Sequence, residues 1–563
     1  MVEDSPVPLV LETTGPLLYH LCTLSFFGVF TFGDKVDLLI QNATVVDGSG
    51  GPPAQANVAI DDERVSAVGK FECPPGVPVL DVSGLIVAPG FIDIHSHSDF
   101  TLVVDPRAVS SITQGVTLEV VGNCGHGCAP IVDPEITRSN IYGCKEEHEI
   151  GWRSVGEYLA RLEEVAPAVN VATLVPNGNL RLATCGLANR SSTSSELAEM
   201  RKLLAQGLEE GAIGFSTGLE YGLERGCSEE EISELCKVTT EAGGFYATHT
   251  RNRAGEAEET IAEAIRACSL AEVPLQISHI SVVARLAEDG RWAVEQALDQ
   301  VEEARGRGLD VGFDMHTRLF GTTNLSAALP PSMLAGEKKE IAGRLRSNSD
   351  REEMKGYQSI ITALAQEDWE RIVVFHAPDQ PELSQKSISE IAQAKGKDPL
   401  ETVYDILLDG IDHLNEIMVI AFSYREEDIR PVFDHPFCMV GSDATALAPD
   451  GPLSENTFHG AYTWSSWFFS HFVRETGALS LEEAVRRLTS LPAERLGLGD
   501  RGTVKEGAWA DLAIFDPNTF SEGGTTFEPN QIAQGMRHVL VNGSFVIRDG
   551  EMTGTRSGKV LRG

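Results

Sequence analysis

The stretch "LIVAPGFIDIHSHSDF", residues 85 to 100, runs from an apolar segment directly into two histidines that are one residue apart. In a β-strand the side chains at positions i and i+2 point to the same face, so His95 and His97 share one side of the strand that ends here. Two imidazoles on one face can bind one metal ion. Polar residues that merely close a strand explain an isolated pair at least as well. The interpretation therefore depends on the rest of the chain.

Seven further apolar, β-rich runs follow, and they alternate with helical patterns such as "SSELAEMRKLLAQGLEEG" at residues 194–211. The seven runs are "VTLEVVG", "VNVATLV", "GAIGFST", "GFYATHT", "PLQISHI", "LDVGFDM" and "FCMVGSD". Eight strands that alternate with helices predict an α/β fold, a (β/α)8 TIM-like barrel. The alternative is an open doubly wound sheet, but the GxGxxG pattern that usually follows its first strand is absent.

The two ends of the chain carry short strand patterns, "KVDLLIQNATVVDG" before the barrel and "HVLVNGSFVIRDG" after it. We expect residues 35–88 and 500–563 to form a small β-sandwich domain built from both chain ends. Residues 89–499 would form the barrel, with a helical insertion at about 330–410 between the seventh and eighth strands. The sequence assigns no role to the N-terminal extension, residues 1–34.

Composition excludes several classes of protein. With 563 residues, 42% of them hydrophobic, the chain can bury a large core, which favours a globular protein. Its 83 acidic and 45 basic residues give a net charge of −38, which would repel nucleic acid and anionic lipid, so we expect neither as a partner. Ten cysteines without a CxxC pair favour a reducing, cytoplasmic compartment. The apolar residues 15–32 fit neither a signal peptide nor a membrane-spanning helix, so we expect a docking segment or a wrongly chosen start codon there.

Residues able to bind a metal follow the strand patterns at their carboxyl ends, where barrel enzymes place their active sites. Besides the two histidines, these are Cys124 in "VVGNCG", His249 in "YATHT", His279 in "QISHI" and Asp443 in "MVGSDA". Each of them alone has a structural explanation, but together those explanations require the same coincidence on five strands. Thiolate, imidazole and carboxylate ligands favour Zn²⁺, whereas a cysteine suits neither Mg²⁺ nor Ca²⁺. The sequence thus predicts a zinc site at the barrel mouth.

Several blocks in the same order resemble the N-acyl-D-amino-acid deacylase (D-aminoacylase) family of the amidohydrolase superfamily, over roughly residues 36 to 550. They include "GFIDIHSHSD", "ITQGVTLEVVGNCG", "GAIGFSTGLEY", "YATHTRN" and "SLPAERLGLGDRGTVKEGAWADLAIFDP". The resemblance implies that Cys124, His249 and His279 hold a tight zinc. It also implies that His95 and His97 line a second, weaker site, which Cys124 can bridge.

The activity that the resemblance implies is zinc-dependent hydrolysis of the amide bond of N-acyl amino acids, those of D configuration in particular, to a carboxylate and a free amino acid. Asp443 would be the general base. Zinc lowers the pKa of bound water towards about 7 and polarises the scissile carbonyl. Asp443 would accept the proton of the water and later hand it to the departing amine.

Three substrate-binding features of that family are replaced in this chain. The lysine two residues beyond the sixth-strand histidine is Ser281, a YPY sequence is replaced by "MHTR", and an HPR motif by "DGPLSENTF". A substrate carboxylate therefore needs another cation, and a guanidinium suits it because its planar fork matches two oxygens. Arg318, four residues after Asp314, is the candidate, and Arg251 is its competitor. Pairing of Arg318 with a surface carboxylate is the alternative interpretation.

Some residues near the strand ends have two interpretations. Asp314 and His316, at the end of the seventh strand, either support the metal ligands or simply pack in the strand. In the loop "GNCGHGCAP", His126 and Cys128 are expected to be structural rather than ligands.

Other functions remain as alternatives. Among enzymes these are a cyclic amidase like the hydantoinases and dihydroorotases, an isoaspartyl-type dipeptidase, and an amidase with a bulky N-acyl substrate. A non-catalytic scaffold would have lost its metal ligands, whereas every ligand position is filled here. Stereochemistry, acyl preference, the number of metals in turnover and the oligomeric state are left open, and a homo-oligomer is compatible with the sequence.

Overall fold

The computed structural model describes residues 36–563 except 74, 139–140, 142, 145–147, 252–256, 281–289 and 358. The predicted N-terminal extension, residues 1–34, and Ser281 lie outside the described residues.

The described strands, in chain order, are β1 (Leu38–Val45), β2 (Ala54–Asp61), β3 (Arg64–Gly69), β4 (Val79–Asp81), β5 (Ile86–Pro89), β6 (Phe91–Asp93), β7 (Val116–Val121), β8 (Asn170–Pro176), β9 (Gly214–Gly218), β10 (Phe245–His249), β11 (Leu275–Ile277), β12 (Val311–His316), β13 (Phe320–Asn324), β14 (Ile372–His376), β15 (Met418–Phe422), β16 (Cys438–Gly441), β17 (Leu512–Phe515), β18 (Met536–Val541), β19 (Ser544–Arg548) and β20 (Glu551–Met552).

The described α-helices are α1 (Thr101–Val104), α2 (Val109–Ile112), α3 (Pro134–Arg138), α4 (Val155–Val165), α5 (Asn177–Thr184), α6 (Ser194–Glu209), α7 (Glu229–Glu241), α8 (Ala257–Ala271), α9 (Gly290–Gly306), α10 (Lys338–Arg346), α11 (Asn348–Met354), α12 (Ile360–Leu364), α13 (Ile388–Lys395), α14 (Pro399–Asp409), α15 (Glu426–Asp434), α16 (Ser465–Phe468), α17 (Leu481–Leu488) and α18 (Ser490–Arg495). No helix among the described residues is both long enough and apolar enough to span a membrane.

Strands β6 to β12 and β16 form the predicted barrel, each hydrogen-bonded in parallel to the next in chain order. Two backbone hydrogen bonds join the first strand to the last. The N–H of Asp443 donates to the carbonyl of His95 at 2.9 Å, and the N–H of His97 donates to the carbonyl of Ala444 at 2.8 Å. All eight runs predicted as barrel strands are strands of this barrel, so the (β/α)8 fold is confirmed.

Apolar side chains fill the barrel at the amino ends of its strands. Ile92, Leu118 and Ala172 form a buried layer there, and Ala493 of α18 packs against them. Leu491, also on α18, packs against the next layer. Because this end is closed, the carboxyl ends of the strands are the side on which a site can open.

Helix starts around the barrel follow from local sequence. The "SVGE" that opens α4 forms a capping box, in which the Ser154 side chain accepts from the backbone N–H of Glu157 and the Glu157 carboxylate accepts from the backbone N–H of Ser154. Thr193 and Glu196 do the same for α6. Such boxes satisfy backbone donors that the first helical turn leaves unpaired, and thereby fix where each helix begins.

The small domain is one nine-stranded sheet that contains strands from both chain ends, as predicted. The two ends meet where β5 pairs antiparallel with β17. Its core is apolar and includes Ile40, Val58, Val87, Leu512 and Leu540.

The insertion between β12 and β16 is mixed rather than purely helical. Helices α10 to α14 lie within the predicted residues, but β13, β15 and β14 form a three-stranded antiparallel sheet that the sequence analysis did not predict. β15 pairs with β13 and β14, which are distant in sequence. Such pairing leaves no short-range turn signal, which explains why the pattern was missed.

Candidate metal centre

Four of the predicted residues converge at the barrel mouth. The ligand atoms of His95, Cys124, His279 and Asp443 all lie within 4.8 Å of one another, and all but the half-buried Asp443 are buried. They follow β6, β7, β11 and β16, so the cluster draws on strands from around the ring. Soft and hard donors so close together, at the carboxyl ends of barrel strands, form a candidate metal centre.

Three of these residues lie just beyond their strands, and each has a left-handed backbone conformation. The φ angles of Cys124, His279 and Asp443 are 53°, 32° and 45°. For a residue other than glycine this conformation costs about 1–3 kcal/mol, and it occurs preferentially at functional sites. Gly218, at the end of β9, allows the first of these turns, because a Cβ there would overlap the carbonyl oxygen of Cys124.

The Cys124 thiol lies between two imidazoles. Its Sγ is 3.2 Å from Nε2 of His95 and 3.5 Å from Nε2 of His279. Burial opposes ionisation, but attraction to His95 and His279 outweighs it and holds the pKa of Cys124 well below its usual range. This shift favours the thiolate, the form in which cysteine binds metals.

Asp443 closes the cluster on the side of β16. Its Oδ1 is 3.3 Å from Nε2 of His97 and 3.6 Å from Nε2 of His95. Burial would raise the pKa of Asp443, but the hydrogen bond from His97 and the charges of His95, His279 and Arg318 hold it well below its usual range. The same contact, against the opposing effect of burial, raises the pKa of His97 to about 9.

His249 joins the cluster through His279, with ring centroids 4.6 Å apart and perpendicular rings. Its Nε2 lies 2.9 Å from Oε2 of Glu220. Its Nδ1 is buried and has no hydrogen-bond partner among the described residues. Because buried polar atoms normally have partners, this nitrogen fits a metal ligand, and the Glu220 carboxylate would fix the ring.

Sequence reasoning missed Glu220 and left Asp314 undecided. Oδ1 of Asp314 lies 3.0 Å from Nδ1 of His95 and accepts the backbone N–H of His279 at 2.8 Å. Asp314 therefore supports two members of the cluster at once. Glu220 could have been found, since in "STGLEY" it follows the end of β9 by two residues, as Asp443 follows the end of β16.

The loop after β7 contributes packing around the site. The His126 ring packs edge-on against Tyr221 at 4.3 Å, and burial, with repulsion from His97 and His249, lowers the pKa of His126 to about 4. Cys128 is buried, its carbonyl accepts the indole N–H of Trp152, and burial raises the pKa of its thiol well above the usual range. A protonated thiol in the core matches the structural role expected of Cys128.

Comparison with known proteins identifies the family. A sequence model described as the amidohydrolase family matches residues 78–547. An N-acyl-D-glutamate deacylase of Alcaligenes xylosoxydans xylosoxydans is 31% identical over 94% of this chain and 97% of its own length. A D-aminoacylase of the same organism is 31% identical over 93% of this chain and 97% of its length. The crystal structure of an N-acyl-D-glutamate deacylase from Bordetella bronchiseptica superposes with a TM-score of 0.78, at 30% identity, over 94% of this chain and 100% of that one.

The chain belongs to the N-acyl-D-amino-acid deacylase family of the amidohydrolase superfamily. The resemblance read from its sequence is thereby confirmed. The Bordetella relative was crystallised with zinc and a phosphonate inhibitor that mimics the tetrahedral intermediate of its reaction.

Arg318 is buried and contacts oxygen atoms of its own chain. The sequence analysis predicted that it would contact the substrate carboxylate in place of the family's missing cations. Its Nη1 donates to the carbonyls of Ser442 and His459 at 2.8 and 2.7 Å. Its Nη2 donates to the carbonyl and to Oδ2 of Asp443 at 2.9 and 3.1 Å. Both terminal nitrogens are thus occupied, and the partner is Asp443 rather than the surface carboxylate of the alternative interpretation.

Arg251, the competitor, is also held by its own chain. Its Nε lies 3.0 Å from Oε2 of Glu263, and its two terminal nitrogens donate to the carbonyls of Arg225 and Cys227 at 2.7 and 2.9 Å. The substrate-binding role of both arginines stays a prediction.

A cavity of about 560 Å³ opens beside His126, Glu220 and Tyr221. Its walls come from the segments after β7, β8 and β9 and from the insertion. Half of the lining residues have apolar side chains, among them Ile136, Leu187, Leu223, Leu329, Leu334 and Ile360.

Proposed function

We propose that this protein is a zinc-dependent amidohydrolase that cleaves the amide bond of N-acyl-D-amino acids to a carboxylate and a free amino acid. One observation carries the proposal: the buried thiol sulfur of Cys124 lies between two imidazoles and close to Asp443 at the mouth of the barrel. The family's deacylases and the inhibitor complex of the Bordetella relative support the choice of reaction.

The residues fit zinc. Cys124, His249 and His279 would hold it tightly, because they supply a thiol whose pKa is held well below its usual range, a buried Nδ1 that has no hydrogen-bond partner among the described residues, and an imidazole Nε2 that lies 3.5 Å from Sγ of Cys124. His95 and His97 would line a second, weaker site that shares Cys124. Zinc at this position supplies Lewis acidity for the scissile carbonyl and acidifies water.

Asp443 would move the proton. Its Oδ2 is held by Arg318, whereas Oδ1 faces His95 and His97, so Oδ1 is the atom that receives the proton of the attacking water. The water oxygen bonds to the carbonyl carbon, the carbon–nitrogen bond breaks, and the proton passes from Oδ1 to the leaving nitrogen. Because the same carboxylate serves both steps, the leaving amine must lie beside Asp443.

Paired substrates test the proposal. Purified protein loaded with zinc should hydrolyse N-acyl-D-amino acids faster than their L enantiomers, and much faster than hydantoin, dihydropyrimidine or isoaspartyl dipeptide substrates. Faster turnover of one of those last three would replace the deacylase with the corresponding cyclic amidase or dipeptidase. Elemental analysis of the protein as isolated tests whether it binds zinc. If the protein contains no zinc and hydrolyses no amide, the non-catalytic scaffold is the alternative that remains.

The cytoplasmic compartment and the lack of nucleic-acid and membrane partners stay predictions from the charge and the cysteine content of the sequence, and the oligomeric state stays open.

A further inference from the structure

We propose that the cavity beside His126 and Tyr221 binds a bulky apolar acyl group, so that the preferred substrates carry a medium-chain or aromatic acyl group rather than acetyl. This inference rests on the proposed deacylase function, since it concerns the acyl half of the same substrate. It assigns a role to the insertion between β12 and β16, which supplies one wall.

The position of the cavity selects the acyl half. In the eight-stranded ring, β9 is four strands from β16 in either direction, so the loops that follow these two strands face each other across the mouth. Asp443 follows β16, while Glu220 and Tyr221, which line the cavity, follow β9. Since the amine leaves beside Asp443, the amino acid lies on that side and the acyl group extends towards β9.

One wall of the cavity adjoins the candidate metal centre. Glu220 lies in its wall and contacts Nε2 of His249 at 2.9 Å, and the neighbouring Tyr221 ring lies 4.8 Å from the His249 ring. A carbonyl held at the metal centre would therefore have the cavity next to it, on the side away from Asp443.

Size and lining define the chemical class of the acyl group. A volume of about 560 Å³ lies in the range that encloses drug-sized ligands, whereas an acetyl group offers a single methyl. Each methylene moved from water into an apolar pocket strengthens binding roughly fourfold. The lining contains exposed carboxylates of Asp133, Glu337 and Glu340 and no lysine or arginine among the described residues. An acyl group that ends in a carboxylate is therefore disfavoured.

The wall contributed by the insertion is fixed against the barrel. A Cβ on Gly222, in the loop after β9, would lie 2.5 Å from Cγ of Pro331 and 3.1 Å from the hydroxyl of Tyr357, so the two segments pack tightly at this glycine. The guanidinium carbon of Arg225 lies over the Tyr357 ring, 5.4 Å from the ring centroid. A packed wall can select among acyl groups by shape.

The test compares one D-amino acid carrying acetyl, octanoyl, phenylacetyl or succinyl groups. We expect kcat/KM for the octanoyl and phenylacetyl substrates to exceed that for acetyl by roughly tenfold or more, and succinyl to be the poorest. Ala335→Trp, which places an indole in the cavity wall, should lower the octanoyl-to-acetyl ratio of kcat/KM about tenfold. Ala394→Trp, on the exposed face of α13 in the same insertion, is the matched control and should leave the ratio unchanged.

The outcomes separate the two proposals. If acetyl and octanoyl substrates are hydrolysed equally well, and neither tryptophan variant changes the octanoyl-to-acetyl ratio of kcat/KM, the acyl-cavity proposal is overturned. The deacylase function is then still supported. No hydrolysis of any N-acyl amino acid by zinc-loaded protein overturns both. If Ala335→Trp does not fold, Ala327→Trp on the same wall provides the same comparison. Competitive inhibition by octanoate, stronger than by acetate, provides an independent measurement on the unmodified protein.

Discussion

The guanidinium of Arg318 holds the turn that carries Asp443. The two residues follow neighbouring barrel strands, β12 and β16, and Nη2 of Arg318 contacts both Oδ2 and the carbonyl of Asp443. Nη1 binds the carbonyls of Ser442 and His459. Since Asp443 has a left-handed backbone, these four contacts oppose the relaxation of a strained turn and thereby set the direction of the carboxylate.

Replacement of Arg318 by methionine should therefore lower kcat about 10²-fold, because even a small displacement of a catalytic group is costly. If Arg318 acts by positioning Asp443, the loss should be similar for N-acyl amino acids and for their neutral carboxamides. Steady-state kinetics on both substrate types provide the measurement. A rise in KM confined to the carboxylate substrates would instead assign Arg318 to the substrate anchor. Arg318→Lys, which keeps the charge and loses the fork, should recover only part of kcat.

Replacement of Cys124 by alanine should abolish zinc binding and nearly all hydrolysis, because it removes the thiolate between His95 and His279. Circular dichroism should show a folded barrel, and elemental analysis should find little zinc. Cys128→Ala is the matched control, since that cysteine is buried in the core four residues away and should leave the zinc content unchanged. Stoichiometric zinc in the Cys124 variant would remove this residue from the site.

Glu220→Gln should weaken zinc binding roughly 10–100-fold, the usual effect of losing a carboxylate that orients a metal-bound histidine. The physical reason is its contact with Nε2 of His249, which fixes the orientation of the ring. Competition with a chelator of known affinity measures the change. Glu230→Gln, on the exposed surface of α7, is the control. If the zinc affinity of Glu220→Gln is unchanged, Glu220 does not support the metal site, and its role is only to line the cavity.

Asp443→Asn should keep most of the zinc and the binding of substrate while lowering kcat by roughly 10²–10⁴, the range for loss of an acid–base group. An amide can still accept from Arg318 but cannot take up the proton of the attacking water. Comparison of kcat, KM and metal content separates these effects. Near-normal turnover would mean that another group carries the proton.

The sequence predicted the parts of this structure that depend on local pattern. Each barrel strand is a short apolar run, and the rule that sites follow strand ends brought His95, Cys124, His279 and Asp443 to one mouth. The inserted sheet was missed because its strands pair over long separations. The contact between Arg318 and Asp443 could not be predicted either, since it depends on the left-handed turn at Asp443.

Gly460 makes the approach of Arg318 to Asp443 possible, and its replacement tests that relationship from the other side. A Cβ on Gly460 would overlap Nη1 of Arg318. Gly460→Ala should therefore displace the guanidinium and lower kcat about as much as Arg318→Met does, roughly 10²-fold. Gly308→Ala is the matched control, because the φ of Gly308, 90°, is close to the 101° of Gly460 but its added Cβ would meet nothing within 4 Å.

Because the two φ angles are similar, the two alanines should have a comparable backbone cost, and the steric effect is the main difference between them. If the two residues act through one contact, the double variant Arg318→Met with Gly460→Ala should lose no more activity than the worse single variant. If the fold-losses in kcat of the two single variants instead multiply in the double variant, Gly460 affects turnover by a route other than Arg318.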